Sequence, residues 1–169
     1  MSETPPGSTQ NLPGQPLSRA LRPVVVRSIA EAQQRNAPVV EAEHLLLALS
    51  RVGTPAIRSV LAGAGLDPSG LENALAAERT AGLRAAGVTP PPAERLVAAP
   101  RVTRPRWGAS AKEALTRAHR VASAHHRQRM GELDLLAALL GLELGTVPRA
   151  LSLAGVDRAA LLDSARRAA

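Results

Sequence analysis

The sequence predicts an all-α protein made of two copies of one four-helix repeat, which together form a double bundle. Residues 17–75 align with residues 107–165 at a constant offset of ninety positions and without a gap, and eleven of the fifty-nine aligned pairs are identical. The chain has no Phe or Tyr and one Trp, so Leu, Val, Ile and Ala must build its core. Such a core favours helices. A long period that occurs twice indicates a duplicated domain rather than a solenoid.

The repeats divide the chain into four segments. Residues 1–16 are rich in Pro, Gly, Ser and Gln, and we expect a disordered tail there. Residues 17–87 form the first repeat, with an extended last helix, and residues 107–169 form the second repeat. Residues 88–106 contain several arginines and three consecutive prolines, and the prolines exclude a regular helix. We expect this Pro/Arg-rich stretch to be a linker.

The first two helices of each repeat follow from apolar periodicity. The first helix should run from about Pro23 to Asn36, and its counterpart from about Ser110 to His126. The second helices, at about 41–51 and 132–142, carry the leucine-rich run that the two repeats share. This run must form the buried centre of each repeat.

Capping residues mark the third and fourth helices. The third helices should begin at Thr54-Pro55 and near Thr146, because Thr can cap exposed amides and Pro fits the first helical position. They should end at the glycines Gly65 and Gly155. The fourth helices should begin at Asp67 and at its repeat equivalent, residue 157, and the first of them should continue towards residue 86.

The composition indicates the cellular compartment in which the protein works. Cysteine is absent, which fits a reducing compartment, and the first residues lack the basic start and apolar stretch of a secretory signal. The longest nearly apolar run, Leu133–Leu144, is too short to cross a bilayer. We therefore expect a cytoplasmic protein with no membrane contact.

The net charge of +7 is unevenly distributed. Residues 1–75 balance at zero, while residues 76–106 carry +4 and residues 107–169 carry +3. A basic patch that attracts nucleic acid or an acidic protein surface could be built from seven arginines. These are Arg101, Arg104, Arg106, Arg117, Arg120, Arg127 and Arg129. A basic nucleic-acid-binding regulatory protein is therefore the alternative function, although stacking aromatics are missing and Trp107 is predicted to be a core residue.

The residues do not suggest catalysis, a metal site or a cofactor. His119 and His126 lie seven positions apart, unlike the i, i+4 pair of helical zinc sites, and arginines surround them. The only lysine, Lys112, lacks the glycines of a phosphate-binding loop. We therefore expect a protein that is not an enzyme.

The segment Glu41-Ala42-Glu43-His44-Leu45-Leu46-Leu47-Ala48-Leu49 resembles the Thr-Glu-His-Ile/Leu-Leu-Leu-Gly/Ala-Leu signature of the Clp N-terminal (Clp R) domain family. Val60-Leu61 and Gly65-Leu66-Asp67 also match this family, and the resemblance covers about residues 17–165. It implies the recognition domain of Clp/Hsp100 unfoldases. We expect a stand-alone domain without their ATPase modules.

The resemblance also implies site residues. In the phosphoarginine-binding branch of the family, each repeat supplies a Thr near the start of its first helix and the Glu of the Glu-His pair, which contacts the guanidinium group. The first repeat here offers Ser18 and Glu43, whereas the second offers Gly108 and Leu133. At most one such pocket is expected, near Ser18, Arg19, Glu43 and His44.

The expected function is non-catalytic binding of proteins in Clp-dependent proteolysis. The expected partners are a Clp unfoldase, its adaptors or its clients, including arginine-phosphorylated proteins. The protein would act as a delivery factor or as a decoy.

Overall fold

The computed structural model describes residues 17–89 and 100–168, and within them it confirms the all-α prediction. The described residues form eight helices and two strands of two residues each. In chain order these elements are α1 (Leu21–Gln34), β1 (Val39–Val40), α2 (Ala42–Val52), α3 (Pro55–Gly63), α4 (Pro68–Ala85), β2 (Arg106–Trp107), α5 (Ala109–Ala124), α6 (Glu132–Leu140), α7 (Thr146–Leu153) and α8 (Arg158–Ala168).

The start of α1 differs from the sequence-based expectation. The helix begins at Leu21, two residues before Pro23. The Ser18 hydroxyl oxygen accepts the Leu21 N–H at 3.2 Å, so this serine helps to cap the helix. Pro23 is tolerated because the first turn of a helix does not need its missing N–H.

Helix α2 forms the centre of the core. Every residue from His44 to Ser50 is buried, and the helix contacts α1, α3, α4, α5, α6 and α7. Its counterpart α6 is also buried along most of its length. The leucine-rich runs thus occupy the position that the sequence predicts for them. No single helix among the described residues is long and apolar enough to cross a membrane. Helices α2 and α3 reach the required length and apolar composition only when they are taken together, and a bend of 110° separates them.

The two repeats interlock rather than stack. The third helix of each packs against the fourth helix of the other, which gives the pairs α3 with α8 and α4 with α7. Helix α2 also contacts the first three helices of the second repeat. One continuous hydrophobic core therefore serves both repeats.

Short backbone pairings that the sequence does not predict tie the repeats together. Strands β1 and β2 are parallel, with Val40 opposite Trp107. At the equivalent place in the duplication, Leu17 pairs with Met130. Each pairing joins the residues before the first helix of one repeat to the residues before the second helix of the other. Trp107 is 8% exposed, which confirms its assignment to the core.

Two carboxylates reinforce these joints. Glu41, just before α2, accepts the backbone N–H of Ser110 at 3.0 Å and also its hydroxyl, so it caps α5 from the other repeat. Glu132, at the start of α6, accepts the Thr54 N–H at 3.0 Å and its hydroxyl at 2.7 Å. Carboxylates are favoured at helix starts because the amides there lack helical partners.

The Glu41 contact explains why residue 108 is glycine. A Cβ atom at Gly108 would collide with the Glu41 carboxyl group, which could move only by giving up its bonds to Ser110. We predict that Glu41→Ala and Gly108→Ala each lower the free energy of unfolding by about 1.5–3 kcal/mol, the range for a lost charged hydrogen bond. Urea denaturation measures this change.

The double mutant distinguishes a contact between Glu41 and residue 108 from two independent losses of stability. In the Glu41→Ala background, Gly108→Ala should cost little, because the group that it displaces is gone. Glu113→Ala is the matched control, since Glu113 forms an exposed pair with Arg117 that is worth roughly 0–0.5 kcal/mol. Fully additive losses would contradict the contact.

Candidate functional site

A cleft of about 580 Å³ lies between the two repeats, and we call it the interrepeat cleft. It lies among the end of α1, the start of α2, one side of α4 and the start of α7. Its lining combines charged and small apolar side chains. The lining residues are Arg35, Ala37, Glu43, His44, Glu72, Leu75, Ala76, Glu78, Arg79 and Thr146.

Several charges at this cleft are neutralised within the protein. Arg35 bonds to both Glu31 and Glu72, at 2.5 Å and 3.0 Å. Glu78 pairs with Arg149 of the second repeat at 2.7 Å. These charged groups therefore stabilise the fold and are already paired within the protein.

The fully buried Glu31 anchors Arg35 at the cleft. Burial alone would raise the pKa of the Glu31 carboxyl, but hydrogen bonds from Arg27 and Arg35 outweigh it, and the pKa is lowered. Arg51 Nε also lies 2.9 Å from Glu31 Oε1. The ionised carboxylate thus holds the end of α1 to α2.

Glu43 differs from these paired carboxylates. It is half-buried in the first turn of α2 and makes no ion pair or hydrogen bond with another described residue. Burial raises the pKa of its carboxyl group, and the nearby carboxylates of Glu41 and Glu78 raise it further. The carboxylate, whose own backbone N–H lowers its pKa only in part, therefore lies in the interrepeat cleft without a paired cation, and a cation there would relieve both effects.

His44 forms a neutral wall of the same cleft. Its Nδ1 accepts the Glu41 N–H at 2.9 Å, so the neutral ring carries its proton on Nε2. The side chain is 4% exposed. Burial, and then the charge of Arg35, lower the pKa of His44 to about 4. At neutral pH the imidazole is therefore uncharged and does not repel a cation at Glu43.

Arg79 is the second unpaired charge in the interrepeat cleft. It lies on α4, is exposed, and forms no ion pair or hydrogen bond among the described residues. Its charge lowers the pKa of Glu43, although by less than burial and the neighbouring carboxylates raise it. The interrepeat cleft thus offers one carboxylate and one guanidinium to a ligand.

The structure does not bring together the four site residues inferred from the family resemblance. Glu43 and His44 share the interrepeat cleft, whereas Ser18 and Arg19 precede α1 and lie beside the second repeat, where the Ser18 N–H donates to Met130 O at 2.9 Å. Arg35, just past the other end of α1, lines the cleft. The length of α1 separates the two places by about 21 Å. Ser18 and Glu43 therefore lie at opposite ends of α1 rather than in one cleft.

The duplication explains this separation. The start of α1 meets the residues before α6, and the start of α5 meets the residues before α2. Glu43 consequently lies nearer to the position of Gly108 than to that of Ser18. The Glu41 carboxylate already occupies the start of α5 there.

The seven arginines of the predicted basic patch do not form one compact surface. Arg101, Arg104 and Arg106 precede α5, and Arg127 and Arg129 follow it; α5 is about 24 Å long. Two members of the set are also paired within the protein. Arg117 bonds to Glu113 and to the carbonyl oxygen of Gly141, and Arg127 bonds to Asp134. The charge is spread along α5.

A second, more open groove of about 430 Å³ lies between α3 and α8. Its lining is mainly small and apolar, with Val60, Ala64, Val156 and Leu161 among the contributors. Its one carboxylate, Asp157, already caps α8 through the N–H groups of residues 159 and 160. This groove lacks the unsatisfied charge that distinguishes the interrepeat cleft.

The lowered pKa of His44 gives a pH prediction. The folded protein disfavours the charged ring, so this residue contributes stability above pH 6.5 that is lost as the pH falls towards about 4. His44→Gln retains an acceptor for the Glu41 N–H but does not titrate. We predict that the variant is less stable than wild type at pH 7.5 and that the difference narrows between pH 6.5 and 4. A constant difference in urea unfolding free energy would contradict the assignment.

Comparisons with known proteins agree with this architecture. Residues 16–99 and 107–169 match the family model of the Clp repeat (R) N-terminal domain. The fold is similar to the crystal structure of the N-terminal domain of the caseinolytic protease associated chaperone ClpD from Arabidopsis thaliana, with a TM-score of 0.61 and 18% identity over 89% of this chain and 92% of that chain. No curated protein matches the chain. The two matched segments correspond to the two repeats, and the chain therefore belongs to the Clp N-terminal domain family.

Proposed function

We propose that this protein binds a cationic side chain of a partner protein in the interrepeat cleft, without catalysing a reaction. The observation that carries the proposal is the unpaired, half-buried carboxylate of Glu43. Leaving such a group without a counter-ion costs stability, so its presence in a cleft favours a binding role. The neutral ring of His44 beside it adds no competing positive charge.

Arginine fits this cleft better than lysine. A guanidinium group offers planar, paired donors to a carboxylate and is more weakly hydrated than an ammonium group. The small apolar side chains of Ala37, Leu75 and Ala76 can pack against the aliphatic part of the incoming residue. Phosphorylated arginine is included among the proposed ligands, because the unpaired Arg79 provides a donor for phosphate.

Membership in the family supports the wider role. Clp N-terminal domains are non-catalytic modules that bind the substrates and adaptors of Clp unfoldases. We propose that the present chain does so in the cytoplasm. It would deliver clients to a Clp protease or compete with the unfoldase for them.

Peptide binding tests the site. A fluorescent peptide with one arginine should bind the wild-type protein, and Glu43→Gln should weaken binding at least about tenfold, because the neutral amide loses the ion pair. The same peptide with citrulline, which is uncharged, should bind both proteins equally weakly. A peptide with phosphoarginine should also depend on Glu43.

Glu113→Gln is the matched control, because it removes an exposed carboxylate that does not line the interrepeat cleft and should leave affinity unchanged. Glu43→Gln should fold, since it removes a charge that burial disfavours; thermal unfolding checks this. Equal binding of either arginine peptide to wild type and Glu43→Gln would refute the proposed site.

Capture from cytosol tests the partner class. Immobilised protein should retain a Clp unfoldase, its adaptors or its clients after nuclease treatment, as identified by mass spectrometry. The interaction should be weaker with Glu43→Gln. Loss of every partner on nuclease treatment would instead favour the nucleic-acid alternative, which also requires steeply salt-dependent binding of DNA or RNA.

A further inference from the structure

Leu144 is the most exposed of the large apolar side chains in the described residues, at 86% exposure. It lies in the 141–145 loop between α6 and α7, and Thr146, two residues further on, lines the interrepeat cleft. Two residues of extended chain span at most about 7 Å. The exposed leucine therefore lies within about 7 Å, measured along the chain, of a residue that lines a cleft containing an unpaired carboxylate.

The loop is held firmly before it reaches Leu144. The Arg158 guanidinium donates to the carbonyl oxygens of Leu140 and Leu142, at 3.1 Å and 2.6 Å. Arg117 donates to the carbonyl oxygen of Gly141 at 3.1 Å. Gly145 then takes a φ of +104°, which glycine accepts readily and other residues rarely do. The contacts hold the loop up to Leu142, and the backbone conformation of Gly145 sets its direction into α7.

The internal duplication provides a comparison within the same chain. Residue 144 corresponds to Thr54, which is polar and is bonded to Glu132 through its N–H and hydroxyl. The second repeat has a leucine at this position and exposes it. The leucine is therefore not needed for the turn between the second and third helices of a repeat.

We propose that Leu144 forms the second half of a two-part binding surface with Glu43. The partner would be an extended protein segment that places a basic residue in the interrepeat cleft and a large apolar residue against Leu144. Since Leu144 lies two residues from Thr146 of the cleft, and extended chain advances about 3.3 Å per residue, we assign the partner's basic and apolar residues a spacing of two to four positions. This inference rests on the proposed function and adds an apolar requirement to it.

Matched peptides and variants test the inference. One peptide carries an arginine followed three residues later by leucine, and the other carries serine in place of that leucine. Leu144→Thr, which installs the residue of the first repeat, should weaken binding of the leucine peptide roughly five- to twenty-fold, as expected for partial loss of a buried leucine contact. It should leave binding of the serine peptide unchanged. Leu153→Thr, at another exposed leucine on α7, should affect neither peptide.

The outcomes separate the two proposals. If Leu144→Thr binds the leucine peptide as wild type does while Glu43→Gln does not, the two-part surface is wrong and the proposed function stands. If Glu43→Gln binds both peptides normally, the proposed function fails and the inference fails with it. Self-association of the wild-type protein in sedimentation, lost in Leu144→Thr, would assign the leucine to a second copy of the chain and overturn the inference.

Discussion

The contact between the Glu41 carboxylate and the start of α5 is the interaction on which the arrangement of this protein depends. It supplies the cap that Gly108 cannot provide, and it does so from the other repeat. The same residue donates its N–H to His44 Nδ1, which orients the imidazole in the interrepeat cleft. One residue therefore joins the repeats and positions one wall of the site.

The cleft lies where α4 of the first repeat packs against α7 of the second. Helix α4 has 18 residues, whereas its counterpart α8 has 11 described residues. The longer helix extends past the start of α7, and its Glu78 reaches Arg149 there. Helix α4 supplies Leu75, Ala76 and Arg79 to one side of the cleft. An exact duplicate would lack the asymmetry that distinguishes this cleft from the α3–α8 groove.

Glu43 illustrates a conflict between stability and binding. The acidic side chains of Glu31, Glu72 and Glu78 are all satisfied by arginines, so the fold pairs buried or crowded carboxylates wherever it can. Glu43 is left unpaired beside two other carboxylates, and its pKa is raised as a result. Sites that violate the local rules of folding are often those that bind ligands.

The helical architecture follows from local patterns, but the site does not. Leucine spacing, the Thr54 and Asp67 caps and the helix-ending glycines predict most helices to within about two residues, because these signals act over one or two turns. Arg35, Arg79 and Thr146 meet only through tertiary packing across more than one hundred positions of sequence, which no local pattern reports. The family signature singles out Glu43 and His44, which line the interrepeat cleft, and Ser18, which contacts the opposite repeat at the start of α1.

The basic patch shows the same limit of local reasoning. Arginines that are close in sequence were expected to form one surface, but α5 separates them, and Asp134 and Glu113 neutralise two of them. The sequence prediction does not single out Leu144, although a comparison of the two repeats marks this residue as unusual. Its alignment with the polar Thr54 marks an apolar residue at a position where the turn does not require one.

Amide chemical-shift mapping during titration with an arginine peptide tests the central claim most directly. The largest changes in amide chemical shift should occur at the residues that line the interrepeat cleft, around Glu43, His44, Arg79 and Thr146. These changes should vanish in Glu43→Gln. Changes centred on the α3–α8 groove, or distributed along α5 and independent of Glu43, would contradict that claim.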